Sequence, residues 1–385
     1  MSIFLFILGL LLFIGLIVVH EYGHFLAARR GGVAIEEFGI FFGPKLYKRR
    51  MKGGWDFTVR LLPLGGFVKL KGEHDSDTEK HSFGAASLTT KTKIMAAGVV
   101  MNLITALILF TFLALTGMPK LIENQFTVKS DTKVSQQLVI LSYVEPHSPA
   151  DKAGLKAQDT LLTVQGASVT SPKQLHDLTT KNAGQKVALT YKHNGTVMTA
   201  QAVLQTKAIV DASQKTDNPK GYLGVSPTAF TLQRSTWSAP VVAVGLSAQL
   251  TKLTVQGVAK ALGGLGSIFA GAATGNTVAR QHGQTSASSQ VSGPLGIYFL
   301  LKTGSALGFQ FMLLIIAIIS LTLAIMNFLP IPALDGGRLW LTLISRGVFK
   351  KPLSARREEI INASGFAVLM LLFIVITFVD YHRLP

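Results

Sequence analysis

Residues 1–30, MSIFLFILGLLLFIGLIVVHEYGHFLAARR, decide how the rest of the chain is read. Met1 to Val19 carries no charge. About 20 apolar residues of helix cross the roughly 30 Å hydrocarbon core of a bilayer, so this run can span, and His20 falls near its far edge. There the sequence becomes His20-Glu21-Tyr22-Gly23-His24. On a helix, two His four apart project from one face and can share a metal, and the Glu between them can act as base to a water on that metal. Ionisable groups at membrane depth are costly and mark function by default. The competing reading is a polar helix end leaving the bilayer. Against it, Phe25 to Ala28 continue the helical pattern before Arg29 and Arg30 anchor the interface. A cleaved signal peptide is disfavoured because the run has no basic start and the chemistry follows it directly.

The remaining composition agrees with a membrane protein. Charged residues make up 15% of 385 and the mean hydropathy is +0.40. Four segments qualify as spans by length and apolarity: Met1 to Ala28, Ile94 to Thr116, Phe309 to Phe328 and Ile360 to Val379. The net charge of +17 is large enough to suggest nucleic acid, but its placement excludes that reading. It gathers beside the spans, at Arg29, Arg30, Lys45, Lys48, Arg49, Arg50, Lys52, Lys91 and Lys93, and again at Arg338, Arg346, Lys350, Lys351, Arg356 and Arg357. By the positive-inside rule both loops face the cytoplasm, and the termini and the long middle segment lie outside. The chain has no Cys, which removes disulfides and thiolate zinc ligands.

Residues 31–90 have strand character. Phe57 to Leu61 and Phe67 to Leu70 flank Leu62-Pro63-Leu64-Gly65-Gly66, the pattern of a β-hairpin, either dipping into the membrane or lying on the surface. His74 and His81 are rival metal ligands but lack helical partners at ligand spacing, and read as solvated loop residues. From about Phe126 to Lys207 the composition turns soluble, with strands expected at Leu138–Tyr143, Thr160–Val164, Lys186–Tyr191 and Val197–Leu204. Short helices are expected after Ser148 and from Ser171 to Lys181, so this part is a small α+β barrel. Residues 208–235 read as linker with a short strand at Gly221–Val225. Pro240 to Ala273 is apolar but interrupted by Lys252, Lys260 and many Gly. It reads as an amphipathic helix at the outer interface rather than a fifth span. Residues 276–291 are polar and expected to be flexible.

A catalytic zinc site takes three protein ligands and a water, and the His pair supplies two. The third candidate is Asp335, in Asn327-Phe328-Leu329-Pro330-Ile331-Pro332-Ala333-Leu334-Asp335-Gly336-Gly337-Arg338. It follows the third span, where two Pro break the helix, and arrives at the same membrane level as His20. Irregular backbone at such depth is tolerated where it lines a cavity or is buried in protein. Pairing with Arg338, or capping the next helix, is the alternative role.

The His20–His24 motif in the first span, Leu334-Asp335-Gly336 after the third, and an extracytoplasmic insert between spans two and three together resemble the site-2 proteases, which are intramembrane zinc metalloproteases. The resemblance covers essentially the whole chain. Four spans and one PDZ-like insert look like the bacterial branch that cleaves membrane-embedded anti-sigma factors and remnant signal peptides. It implies Zn2+ as cofactor, His20, His24 and Asp335 as ligands, and Glu21 as catalytic acid and base. It implies substrate binding by Asn327 and by a membrane-associated β-hairpin through Phe57, Leu61, Gly65, Gly66 and Phe67, which would offer a strand edge. Ser148 to Gly166 resembles the PDZ repeat, and Gly293-Pro294-Leu295-Gly296-Ile297 the segment before the third span.

Two positions depart from the family pattern. Gln158 stands where Gly usually precedes the acidic residue of the PDZ turn, and a position needing positive φ suits Gln poorly. The second span usually carries Gly-Pro before its Asn, whereas here Val99 and Val100 follow Gly98 ahead of Asn102, which leaves a kink there open.

The expected protein is therefore a polytopic α-helical membrane protein with four transmembrane helices. Its parts are an N-terminal membrane region (1–118), an extracytoplasmic α+β PDZ-like domain (119–207), a linker with an interfacial helix (208–308), and a C-terminal membrane region (309–385). The expected location is the bacterial plasma membrane. Expected partners are single-span membrane proteins, signal peptides and lipid, with a peptide C-terminus at the PDZ-like domain and no nucleic acid. The competing class is a non-enzymatic PDZ scaffold with a structural metal.

Overall fold

The computed structural model describes residues 2–214, 219–274, 276–278 and 294–383. Gly293 and nearly all of the polar 276–291 stretch lie outside them. The chain divides into two compact units. One comprises Met1–Ile7, Phe110–Ala243 and Lys302–Leu314, and the other Leu8–Leu109, Val244–Leu301 and Ile315–Pro385.

α1 (Ser2–Arg30), which belongs to the second unit from Leu8 onward, is one unbroken helix. Arg29 and Arg30 in its last turn complement the negative end of the helix dipole. Gly32, at φ 72°, lets the chain reverse so that Val33 N–H returns to the Ala28 carbonyl at 3.0 Å, a Schellman-type ending. Two strands follow, β1 (Ile35–Arg50) and β2 (Asp56–Leu70), paired antiparallel.

Here the structure corrects the expected hairpin. Phe57–Leu61 and Phe67–Leu70 do not pair with each other; both belong to β2, and residues 37–40 of β1 lie between them. Gly39 pairs with Thr58 and Phe67, and Ile40 with Val59 and Gly66. The reason is aromatic packing across strands, which favours such pairs. Phe38, 6% exposed, stacks on Phe57 at 6.2 Å, and Phe42 on Phe67 at 5.8 Å.

Ser87 caps α2 (Leu88–Thr116) by accepting from Thr90 N–H at 3.2 Å, one of the orphan donors of a helix start. The helix runs continuously through Gly98, Val99 and Val100. Its first turns join Ala28, Val33, Leu70, Phe83 and Leu339 in a shared core.

The first unit holds a sheet of order β3–β9–β4–β5–β7–β8, with β6 beside β5. Its strands are β3 (Met118–Pro119), β4 (Lys133–Val144), β5 (Thr160–Val164), β6 (Ala167–Ser168), β7 (Lys186–His193), β8 (Thr196–Val203) and β9 (Val225–Arg234). Val187, Leu189 and Tyr191 alternate inward from β7 and meet Val139, Leu141, Leu161 and Val164 in the core. Short helices α3 (Pro149–Lys152) and α4 (Pro172–Lys181) begin at Ser148 and Ser171, whose hydroxyls accept from Asp151 and Gln174 N–H. α5 (Lys207–Ser213) follows β8.

The sheet reaches beyond residue 207, into what the sequence presents as linker. β9 pairs along β4, with Pro227 opposite Leu141 beside a register shift. Proline is admitted to sheets at such irregularities, and it is also what disguises the strand. Gln158 does adopt φ 75°. Its N–H bonds the Leu141 carbonyl at 2.7 Å, and Asp159 closes the turn on Lys156 N–H at 2.9 Å.

Residues 239–274 form a single helix, α6 (Ala239–Thr274), despite Lys252 and Lys260. Then come α7 (Pro294–Leu307), α8 (Phe309–Phe328), α9 (Asp335–Thr342) with a π-helical extension Leu343–Val348, and α10 (Ala355–Arg383). Among the described residues, five helices are long and apolar enough to cross a membrane: the four expected and α6.

Candidate metal centre

His20 and His24 lie one turn apart on α1 and face the same way. Asp335 Oδ2 is 2.9 Å from His20 Nε2 and 3.1 Å from His24 Nε2, and the two Nε2 atoms are 3.3 Å apart. Asp335 is delivered by a tight turn. Pro330 and Pro332 end α8, Ala333 takes φ 72°, and Asp335 opens α9. Gly336 and Gly337 follow because a Cβ would fall 2.2 Å from the Leu329 carbonyl oxygen at one and 2.3 Å from that of Ile331 at the other. Arg338 does not pair with Asp335. It bonds the Glu73 carbonyl at 2.9 Å and reaches Glu358 at 3.5 Å. Nor does Asp335 cap the helix, since Leu334 holds that position.

α2 closes the other side with a stripe of three residues, one per turn. The Ile94 carbonyl accepts from His24 Nδ1 at 2.7 Å. A carbonyl only accepts, so the ring proton sits on Nδ1 and the Nε2 lone pair faces inward. Gly98 leaves the space that the rings occupy: a Cβ there would lie 2.4 Å from His24 Nε2 and 2.6 Å from His20 Cε1. Asn102, fully buried, has its side-chain amide 3.1 Å from His20 Nδ1. The facing ligand atoms lie within 4.8 Å of one another. Two imidazole nitrogens and one carboxylate oxygen are the donor types and number of a catalytic zinc site, and the space cleared at Gly98 is what lets the two rings converge on Asp335. The metal-ligand outer ring of Nδ1 partners is the usual means of fixing imidazole orientation.

Glu21 points from the same helix into a narrow crevice between α1 and the bent strands, lined by Ile17, Gly39, Gly65 and Gly66 among others. At Gly66 a Cβ would stand 3.1 Å from Glu21 Cγ and 3.3 Å from the Gly39 carbonyl oxygen, so the strand passes close against the glutamate. Of the six substrate-contact candidates, Gly65 and Gly66 reach this crevice and four do not. Phe57 and Phe67 pack in the strand layer, with Arg60 over the Phe67 ring at 4.7 Å. Leu61 is 54% exposed, and Asn327 sits near the end of α8. Sequence reasoning missed Ile94, Gly98 and Asn102 as one wall of the site. The available signal was a buried-type polar Asn in an apolar span, four residues after a Gly.

A buried ion cluster stands behind Asp335's helix. Asp75 accepts from Lys91 and, at 2.9 Å, from Arg346 Nε, while its own N–H bonds Glu358 at 3.0 Å. Burial pushes the Asp75 carboxyl up, but the two cations outweigh it and hold it below its ordinary range. On the strands, burial likewise raises Glu37, yet hydrogen bonds from Arg60, Thr58 and Lys45 bring it down to about 2. The rival histidines stay outside the centre. His81 bonds the Gly32 carbonyl at 3.1 Å, and His74 lies 3.5 Å from Glu359.

The chain matches the model of Peptidase family M50 over residues 8–372. A protein of Clostridium acetobutylicum that bears a zinc metalloprotease name is 31% identical over 381 residues, covering 99% of this chain and 98% of that one. Zinc metalloprotease RasP of Shouchella clausii is 26% identical, and regulator of sigma-E protease RseP of Salmonella typhimurium is 26% identical. Each alignment covers 96% of both chains.

Proposed function

The chain belongs to Peptidase family M50 and is an intramembrane zinc metalloprotease, and from that premise we propose that His20, His24 and Asp335 hold the zinc and that Glu21 is its acid–base residue. The observation that carries the assignment is the convergence of two Nε2 atoms and one carboxylate oxygen from opposite ends of the chain. When bound, zinc supplies Lewis acidity towards a carbonyl and lowers the pKa of its water towards about 7. Glu21 accepts the proton of the attacking water and returns it to the leaving amine. Family membership speaks against the non-enzymatic scaffold.

A transmembrane substrate is helical, and its carbonyls are already bonded. It has to unwind before attack, and an unwound stretch needs new partners in a dry medium. β2 bends past Glu21 at Gly65 and Gly66, so strand addition at this bend is the economical way to hold the substrate. Exposed Phe42, Leu61 and Leu62 suit a strand pair that enters the lipid. The substrates are single-span membrane regulators and remnant signal peptides with small or helix-weakening residues at the cut. The β3–β9 sheet is the PDZ-like domain, outside the cytoplasm, with β9 added to the 119–207 core, and it binds a peptide C-terminus.

The membrane topology has four spans: α1, α2, α8 and α10. Asp335 meets His20 and His24, so the number of crossings between residues 24 and 335 is even. α2 and α8 are two. α6 as a third would require a fourth, and α7 with 14 residues reaches only about 21 Å, short of the roughly 30 Å core. Among the described residues no other helix between α6 and α8 is long enough, which supports an α6 that lies at the outer interface of the plasma membrane.

Glu21→Gln tests the assignment. The variant is expected to keep one zinc per chain, measured by elemental analysis, and to lose cleavage of a single-span substrate by about 10²–10⁴-fold. Cleavage at the wild-type rate would remove Glu21 from the mechanism.

A further inference from the structure

We propose that Asn102 is a positioning residue for His20: its side-chain oxygen accepts the His20 Nδ1 proton and so leaves the Nε2 lone pair free for the metal. This rests on the reading of His20, His24 and Asp335 as ligands.

Asn102 Nδ2 lies 3.1 Å from His20 Nδ1, in a position that no solvent reaches. A side-chain amide has nearly the same shape in its two orientations, but their consequences differ. With the NH2 group on Nδ1, the amide donates, and the neutral ring must then carry its proton on Nε2. That is the atom 2.9 Å from Asp335 Oδ2, and a protonated Nε2 cannot ligate. The same orientation leaves Asn102 Oδ1 buried with no hydrogen-bond partner, a costly state for a buried acceptor. With the oxygen on Nδ1, the oxygen is partnered and Nε2 faces inward with its lone pair. His24 already has this arrangement, since its Nδ1 bonds the Ile94 carbonyl, which only accepts.

Both ligands are therefore set from one stripe of α2, by a backbone carbonyl at residue 94 and a side-chain oxygen at residue 102. Ser320 holds that turn of α2 in place by bonding the Asn102 carbonyl at 2.8 Å. Only the Asn102 contact can be removed by substitution.

The test uses full-length protein in detergent, zinc as the probe, and competition against a chromophoric chelator. Asn102→Ala removes the acceptor and is expected to weaken zinc binding about 10–100-fold, the usual effect of losing such a partner. Its cleavage activity is expected to recover at saturating zinc. Asn102→Asp keeps an acceptor of the same shape and can only accept, so it should stay within about threefold of wild type. Wild-type affinity in Asn102→Ala overturns the proposal, and so does an Asn102→Asp affinity as low as that of Asn102→Ala. If Asn102→Asp does not fold, the visible spectrum of the cobalt(II)-substituted Asn102→Ala protein decides: a shifted band supports positioning, and an unshifted one overturns it. His24→Ala separates the two levels. Wild-type zinc affinity in His24→Ala sinks the ligand assignment itself, whereas weakened binding there with wild-type affinity in Asn102→Ala sinks only this inference.

Discussion

Gly98 has no side chain because two imidazoles occupy the space one would need. A methyl group there would stand 2.4 Å from His24 Nε2, well inside contact distance. In a helix interior Gly→Ala ordinarily stabilises by about 1 kcal/mol, so Gly98→Ala sets helix propensity against the metal site. The expected outcome is unchanged or slightly increased helicity by circular dichroism, with zinc affinity reduced at least tenfold. Full zinc content after dialysis would mean that the rings do not use that space. Glu21 illustrates how much one residue reveals by itself. Its place between two His was legible at once, because helical geometry fixes the spacing. Its crevice was not, because Gly39 of β1 and Gly65 and Gly66 of β2 reach it from other elements and carry no chemistry of their own.

At the scale of elements, α2 and the strand pair held the surprises. Period alone marks α2 as a span, but says nothing about which of its faces meets α1, so it cannot place Ile94, Gly98 and Asn102 beside the histidines. The strands misled for a different reason. Phe57–Leu61 and Phe67–Leu70 flank Leu62-Pro63-Leu64-Gly65-Gly66 and satisfy every local rule for a hairpin. Phe38 and Phe42 of β1 win the pairing through ring contacts that no local pattern records. β9 was hidden by Pro227. By contrast, β7 alternates cleanly and α3 and α4 carry Ser caps, so local chemistry was sufficient there.

The Asp75 cluster gives the element-scale prediction. Asp75→Asn leaves Lys91, 1% exposed, with its charge uncompensated. Breaking a buried pair in this way costs about 3–5 kcal/mol, read as a lowered thermal midpoint. The pH dependence has a definite sign. Glu37 at about 2 and the lowered Asp75 are both held below their unfolded values, roughly 4.3 and 3.9. Their stabilisation is complete above about pH 4.5 and is lost as pH falls towards 2. Thermal midpoints measured from pH 6 to 3 should fall below about 4.5, and less steeply in Asp75→Asn. A midpoint that rises on acidification would contradict these ion pairs.

For the whole molecule, charge placement beside the spans and the meeting of His20, His24 and Asp335 constrain the topology from two independent directions. The absence of Cys from the chain makes this directly testable by single-cysteine labelling in cells. A membrane-impermeant thiol reagent is expected to label Asn194→Cys and Lys260→Cys from outside and to leave Lys350→Cys unlabelled. Labelling of Lys350→Cys from outside would invert the proposed orientation. Protection of Lys260→Cys would place α6 within the bilayer.

The central claim is a zinc held by two imidazoles and one carboxylate with a position left open. X-ray absorption at the zinc edge, on the inactive full-length Glu21→Gln protein, tests it most directly. The account predicts one zinc per chain, with two imidazole nitrogens at about 2.0–2.1 Å and oxygen ligands at about 2.0–2.2 Å, and one imidazole fewer in His24→Ala. A spectrum unchanged by His24→Ala, or a closed shell of four protein ligands, would contradict it.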